Sequence, residues 1–151
     1  MKIEEAIQQK AFKNEYQKLH VNILYTASFL NQNTLQTLKP FNISPQQFNI
    51  LRILRGMYPQ PASVKLLTEK MIDKMSNASR LVEKLRNKGL VAREACDNDR
   101  RKVDVQITSA GLTLLEQASF AIEQMIQNYA QTISAEEATT LNSGLDKLRE
   151  G

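Results

Sequence analysis

Residues 63–107 read SVKLLTEKMIDKMSNASRLVEKLRNKGLVAREACDNDRRKVDVQI, and the change of period within this stretch decides the fold. Ser63 can cap a short helix bearing Val64, Leu66, Leu67 and Met71. A turn around Ile72-Asp73-Lys74 leads into a second helix, expected over 74–88 and ended by Gly89, a residue suited to the left-handed position after a helix. Two short helices across a tight turn make a helix-turn-helix. Beyond Gly89 the apolar period falls to two: Leu90-Val91-Ala92-Arg93, then Val103, Val105 and Ile107 alternating with Lys102, Asp104 and Gln106. Between these strands Cys96-Asp97-Asn98-Asp99-Arg100-Arg101 is polar and turn-forming, so the pair closes as a β-hairpin with a charged tip, a wing.

The flanks are helical. Tyr16, Leu19, Ile23, Ala27 and Leu30 recur three to four apart within a first helix expected over 8–38, which Lys39-Pro40 interrupts. Ser44-Pro45-Gln46-Gln47 opens the next helix with a capping box and proline at its first position, and Phe48, Ile50, Leu51, Ile53 and Leu54 are its buried side. Gly56, Pro59 and Pro61 are expected to end it. Thr108 caps a long helix to about 132, and Ser134-Ala135-Glu136-Glu137 opens a last one to about Leu148. There are no repeats, low-complexity tracts or Gly/Ser linkers. The expected fold is mainly α with a small β-hairpin wing. It forms a single unit, 1–151, with a winged helix-turn-helix at 41–107 and helical dimerisation parts at 8–38 and 109–148.

Composition narrows the function. The apolar runs are far shorter than the ~20 residues that span a bilayer, and acids stand near the N-terminus where a secretory signal has bases, so a cytoplasmic protein is expected. One cysteine and one histidine, Cys96 and His20, exclude an internal disulfide and are too few for a structural zinc site. There is no GxGxxG, no P-loop and no recognisable Ser/His/Asp arrangement, so neither an enzyme nor a cofactor is expected. From Lys65 to Lys102 eleven basic residues face six acidic ones, a surplus of five in a chain whose net charge is +4. The positive charge is therefore concentrated on the helix-turn-helix and wing, which suits an anionic partner.

On a wheel of the 74–88 helix, Met75, Ala78, Leu81, Val82 and Leu85 form a packing face, leaving Ser76, Asn77, Arg80, Glu83, Lys84 and Asn87 free. Short hydrogen-bonding groups and arginine are what reach base edges in a major groove, so Ser76, Asn77 and Arg80 are the expected base readers. Ser79 flanks them, and Lys74 and Lys84 are placed for phosphates. Arg100 and Arg101 at the wing tip can enter a minor groove, while Asp97 and Asp99 are expected to shape the wing by accepting from backbone N–H groups or neighbouring arginines. A winged helix used only to bind protein would keep this fold without needing the charge surplus.

These residues resemble the MarR (multiple antibiotic resistance regulator) family. The resemblance lies in Asp97-Asn98-Asp99-Arg100-Arg101 followed by Ile107-Thr108-Ser109-Ala110-Gly111, in Phe41-Asn42-Ile43-Ser44-Pro45-Gln46-Gln47-Phe48, and in Ser79-Arg80-Leu81-Val82-Glu83-Lys84-Leu85 leading to Lys88-Gly89-Leu90-Val91. It extends in matching order from about residue 12 to 148. It implies a homodimer with interlocked terminal helices, each chain presenting a winged helix to half of a near-palindromic double-stranded DNA operator, commonly in repression. It also implies a small aromatic or phenolic effector, for which Tyr16, His20, Phe41 and Arg52 are the candidate contacts. Lys74-Met75 departs from the family by standing where a polar cap is common; Asp73 is then the candidate cap, and the helix start stays open. Apolar stripes on the 109–132 helix (Leu112, Leu115, Ile122, Ile126, Tyr129; Leu114, Ala121, Met125) independently exceed what one small domain covers.

Overall fold

Side-chain caps define most of the helix ends in the computed structural model, which describes residues 1–96 and 99–151, and the side chains of all of these except 96 and 99–102. The chain forms two compact units, 1–36 and 37–151. In the first, the helix expected over 8–38 starts later, as α2 (Glu15–Leu38), which runs on into the second unit, and an unexpected short helix, α1 (Ile3–Ala6), precedes it. The reason is local. Gln8 takes a left-handed φ of 56°, and Asn14 Oδ1 accepts from the Gln17 N–H at 2.9 Å while Gln17 Oε1 accepts from Lys13 N–H at 2.7 Å. That reciprocal cap starts α2 just before its apolar repeat begins. Glu4 and Lys18 are joined by an ion pair of 2.7 Å, and the lysine's hydrogen bond holds the Glu4 carboxyl below its usual pKa.

The second unit begins with the end of α2 and a 3-10 turn over 39–41, and continues into α3 (Pro45–Met57). Both arms of the Ser44 capping box form: Ser44 Oγ accepts from Gln47 N–H at 3.1 Å, and Gln47 Oε1 accepts from Ser44 N–H at 2.9 Å. Gly56 lies inside α3 rather than ending it. Then come β1 (Ala62–Ser63), α4 (Val64–Lys70), α5 (Ala78–Asn87), β2 (Val91–Cys96), β3 (Asp99–Ile107), α6 (Ser109–Gln127), a 3-10 turn over 128–131, and α7 (Ala135–Glu150). The hairpin is antiparallel, with Val91 opposite Ile107 and Arg93 opposite Val105. Two-residue β1 pairs with β3 on its other side, giving the order β1-β3-β2. Sequence reading missed this edge strand because two residues carry no period.

One core unites these elements: Leu51 and Leu54 of α3, Leu67 of α4, Val82 and Leu85 of α5, Val105 of β3 and Leu115 of α6 are all essentially shut off from solvent. At its edge the chain closes tightly. Gly89 (φ 75°) and Leu90 donate N–H bonds to Arg86 O at 2.9 Å and Leu85 O at 3.0 Å, the paired bonds of a Schellman ending. Thr108 N–H then donates to Leu90 O at 3.1 Å, and Thr108 Oγ1 donates to Gly89 O at 2.7 Å. The end of α5, the base of β2 and the start of α6 therefore meet at one point.

Candidate nucleic-acid interface

Helix α5 is amphipathic because Ala78, Val82 and Leu85 recur at helical spacing and all three are buried. Its start differs from the 74–88 expectation. The helix begins at Ala78, capped by Asn77, whose Oδ1 accepts from the Arg80 N–H at 3.1 Å. Residues 73–76 form a separate turn: Asp73 Oδ1 accepts from Met75 N–H at 3.0 Å, and Asp73 O accepts from Ser76 N–H at 3.2 Å. Asp73 thus organises the turn, not the helix. The turn is moored to α3, since Asn49 Oδ1 accepts from Ile72 N–H at 2.9 Å. Met75, expected on the packing face, is 92% exposed, because it stands in this turn and does not share the helical phase of Ala78 and Val82.

Ser76, Asn77, Arg80 and Lys84 do come together. With Gln46, Asp73 and Leu81 they line an open depression of about 400 Å³ at the start of α5. The Ser76 hydroxyl is shielded from water and has no hydrogen-bond partner among the described residues. Arg80 and Lys84 are exposed and have no carboxylate within ion-pair distance among the described residues. Asn77 is half committed: its carbonyl oxygen caps the helix, and the residue is otherwise exposed. Ser79 is exposed on the flank, and Lys74 Nζ donates to Glu69 O, so its ammonium reinforces the end of α4.

Sequence reading missed Gln46 and the environment of Glu83. Gln46 follows the capping serine by two residues, and the capping box assigns a role only to Gln47, so nothing marked it. Glu83 Oε1 accepts from Arg86 Nη2 at 2.8 Å, and Oε2 lies 3.1 Å from Arg93 Nη1. The Arg86 hydrogen bond is the main cause holding the Glu83 carboxyl below its usual pKa, against a smaller opposing effect of desolvation. The i,i+3 spacing of Glu83 and Arg86 is readable in sequence; the pairing with Arg93 depends on the fold.

Of the wing positions, Asp97 lies outside the described residues, as do the side chains of Cys96, Asp99, Arg100 and Arg101; the backbone of 99–101 belongs to β3. Of the effector candidates, Tyr16 and His20 are exposed on α2, and Phe41 packs half-buried against the core. The Arg52 guanidinium stands 5.9 Å above the Phe48 ring, a cation–π contact that accounts for it structurally. Among the described residues no helix is long and apolar enough to cross a membrane, and no cluster of three or more potential metal ligands occurs.

Comparison with known proteins places these elements. Residues 43–103 match the MarR family. The MarR transcription factor from Planctomyces limnophilus is 25% identical with a TM-score of 0.68, the match covering 93% of this chain and 98% of that one. A cysteine-to-serine variant of MarR from E. coli, complexed with operator DNA, is 24% identical with a TM-score of 0.78, covering 92% and 99%. An organohalide-sensing transcriptional regulator in its 2,4-dichlorophenol-bound form is 20% identical with a TM-score of 0.83, covering 94% and 86%. These structures share the mainly helical fold with its small antiparallel sheet, and residues 43–103, which span the helix-turn-helix and most of the hairpin, are the part of this chain similar to the MarR family.

Proposed function

We propose that this protein is a sequence-specific double-stranded DNA-binding transcriptional regulator that acts as a homodimer, in repression. The observation that carries this reading is the exposed pair Arg80 and Lys84, gathered with Ser76 and Asn77 around one depression at the N-terminal end of α5. Helices of this kind enter the major groove N-terminus first, where arginine pairs with guanine and a hydroxyl with either edge. Arg80 and Ser76 read bases, helped by the Asn77 amide. Lys84, and Lys74 at the turn, meet phosphates. Ser79 stands on the flank, and the wing over 96–101 carries Arg100 and Arg101 toward the adjoining minor groove.

The second copy is supported by α7. All of its 16 residues are exposed, yet Ala138, Leu141, Leu145 and Leu148 form an apolar stripe at helical spacing. A lone helix of that length is marginal in water, and burying the stripe against a partner removes the difficulty. A twofold dimer reads a near-palindromic operator with half-sites about 10 bp apart. Release by a small aromatic or phenolic effector is part of the same reading. Its support is the dichlorophenol-bound neighbour.

The test begins with selection of duplexes from a random pool, followed by fluorescence anisotropy over a salt series against a scrambled duplex. Convergence on a near-palindrome is expected, with affinity that falls steeply with salt and a preference for the selected site lost in Arg80→Ala. Failure to converge, with equally weak binding to every duplex at low salt, refutes the reading and favours a protein-binding winged helix.

A further inference from the structure

Glu83 is an acid on the helix that carries the DNA-facing residues, and it is bound on two sides by arginine. It follows Arg80 by three residues and precedes Lys84, so it stands beside the polar face of α5. A carboxylate there repels a phosphate backbone, and nothing in the helix requires it. Its partners show what it does. Arg86 belongs to the same helix, but Arg93 stands on β2, the first strand of the wing, opposite Val105 of β3. One carboxylate thereby joins the reading helix to the wing, through Oε1 to Arg86 and Oε2 to Arg93.

We propose that Glu83 is a positioning residue for DNA recognition, clamping wing strand β2 to helix α5 through Arg93 so that helix and wing meet the duplex in one relative geometry. The proposal rests on the DNA-binding reading above. Three observations support it. First, neither Arg86 nor Arg93 has another carboxylate within 4 Å among the described residues, so the link depends on this one side chain. Second, Oε2 is shielded from water and makes no aligned hydrogen bond, so the 3.1 Å ion pair with Arg93 is its whole compensation. Third, the side chains of Glu83 and Arg93 are 40% and 41% exposed, and pairs so accessible contribute little to folding. The carboxylate is therefore placed to set an orientation more than to hold the fold.

The clamp and plain electrostatics make opposite predictions. Glu83→Gln adds one unit of net positive charge and frees two arginines, so electrostatics alone tightens binding to every duplex by the same factor. If Glu83 positions the wing, E83Q binds scrambled duplex about twofold to fivefold more tightly, while the ratio of selected to scrambled affinity falls about threefold. Arg93→Gln lowers the ratio similarly, and E83Q/R93Q lowers it no further than either single change, because one link is being cut twice. Thermal unfolding of each variant, expected within a few degrees of the wild type, separates loss of positioning from loss of fold. An unchanged ratio in E83Q, or single-variant losses that multiply in the double variant, overturns the clamp while leaving DNA recognition standing. If the wild-type protein selects no sequence at all, the DNA-binding reading fails first and the clamp with it.

Discussion

Replacing Gly111 by alanine tests whether the junction of α5, β2 and α6 is as tight as its geometry indicates. Gly111 is in the first turn of α6, and a Cβ added there would stand 2.2 Å from the Leu90 carbonyl oxygen and 2.7 Å from Ile107 Cγ1. The first obstacle is backbone, so it cannot rotate aside. The start of α6 must withdraw by about 1 Å to reach ordinary contact, and that movement pulls Thr108 from Leu90 O and Gly89 O. Overpacking of this kind costs ~1–3 kcal/mol, and the clash with backbone belongs at the upper end. Weakening the two Thr108 bonds adds ~0.5–1.5 kcal/mol each. Against these, alanine is better than glycine in a helix by ~1 kcal/mol. The net expectation is a loss of about 3–5 kcal/mol, read as a lower urea midpoint at an unchanged slope and a fixed protein concentration. Gly56 and Gly144, helical glycines with nothing within 4 Å of the added Cβ, are the controls. Their alanine variants should gain ~0.5–1 kcal/mol. If Gly111→Ala is as stable as Gly56→Ala, the close approach does not exist in solution.

Three further outcomes are expected. Asn77→Ala removes the α5 cap and should cost ~1 kcal/mol, measured by denaturant unfolding, whereas Met75→Ala, two residues earlier in the turn and almost wholly exposed, should change stability by less than ~0.5 kcal/mol. Leu145→Asp in the stripe of α7 should shift the protein from dimer to monomer in sedimentation at micromolar concentration, and unaltered dimer would remove α7 from the interface. Glu4 and Glu83 both have carboxyl pKa values held below the usual 4.5 by Lys18 and Arg86, so their contribution to stability is present above that value and lost as pH falls through the lower folded values. Tm should therefore hold between neutral pH and about 5, then decline, and the decline should be shallower in Glu4→Gln/Glu83→Gln.

The features legible in sequence are those that chemistry encodes within a few residues. Ser44, Ser63, Thr108 and Ser134 each cap the helix assigned to them, and the alternation of Val103, Val105 and Ile107 marks a real strand. Errors arose where two local signals competed. Met75 fits the helical phase of Leu81 and Val82, but Asp73 and Asn77 both offer side-chain oxygens to the backbone, and Asn77 wins the cap while Asp73 folds the preceding residues into a turn. The same competition, Gln8 and Asn14 against the apolar repeat, delays the start of the first expected helix from 8 to 15. Relations across the fold, such as Arg93 with Glu83 or β1 with β3, leave no local trace.

The shortness of α5 makes its mooring decisive. Ten residues are too few to form a stable helix alone, so its direction comes from its attachments. At the N-terminal side Asn49 of α3 holds the Ile72 N–H, and Asn77 ends the turn and starts the helix. At the C-terminal side the Gly89-Leu90 ending is bonded to Thr108, and Gly111 lets α6 close over it. Val82 and Leu85 fix rotation about the helix axis by burying one face. With translation set at both ends and rotation set by the core, Arg80 and Lys84 are offered outward from a rigid mount, so little of their binding free energy need go into ordering the backbone that bears them. If the protein binds DNA as proposed, substitutions at Asn49 or Thr108, neither of which lines the depression around Arg80 and Lys84, should weaken recognition by loosening that mount.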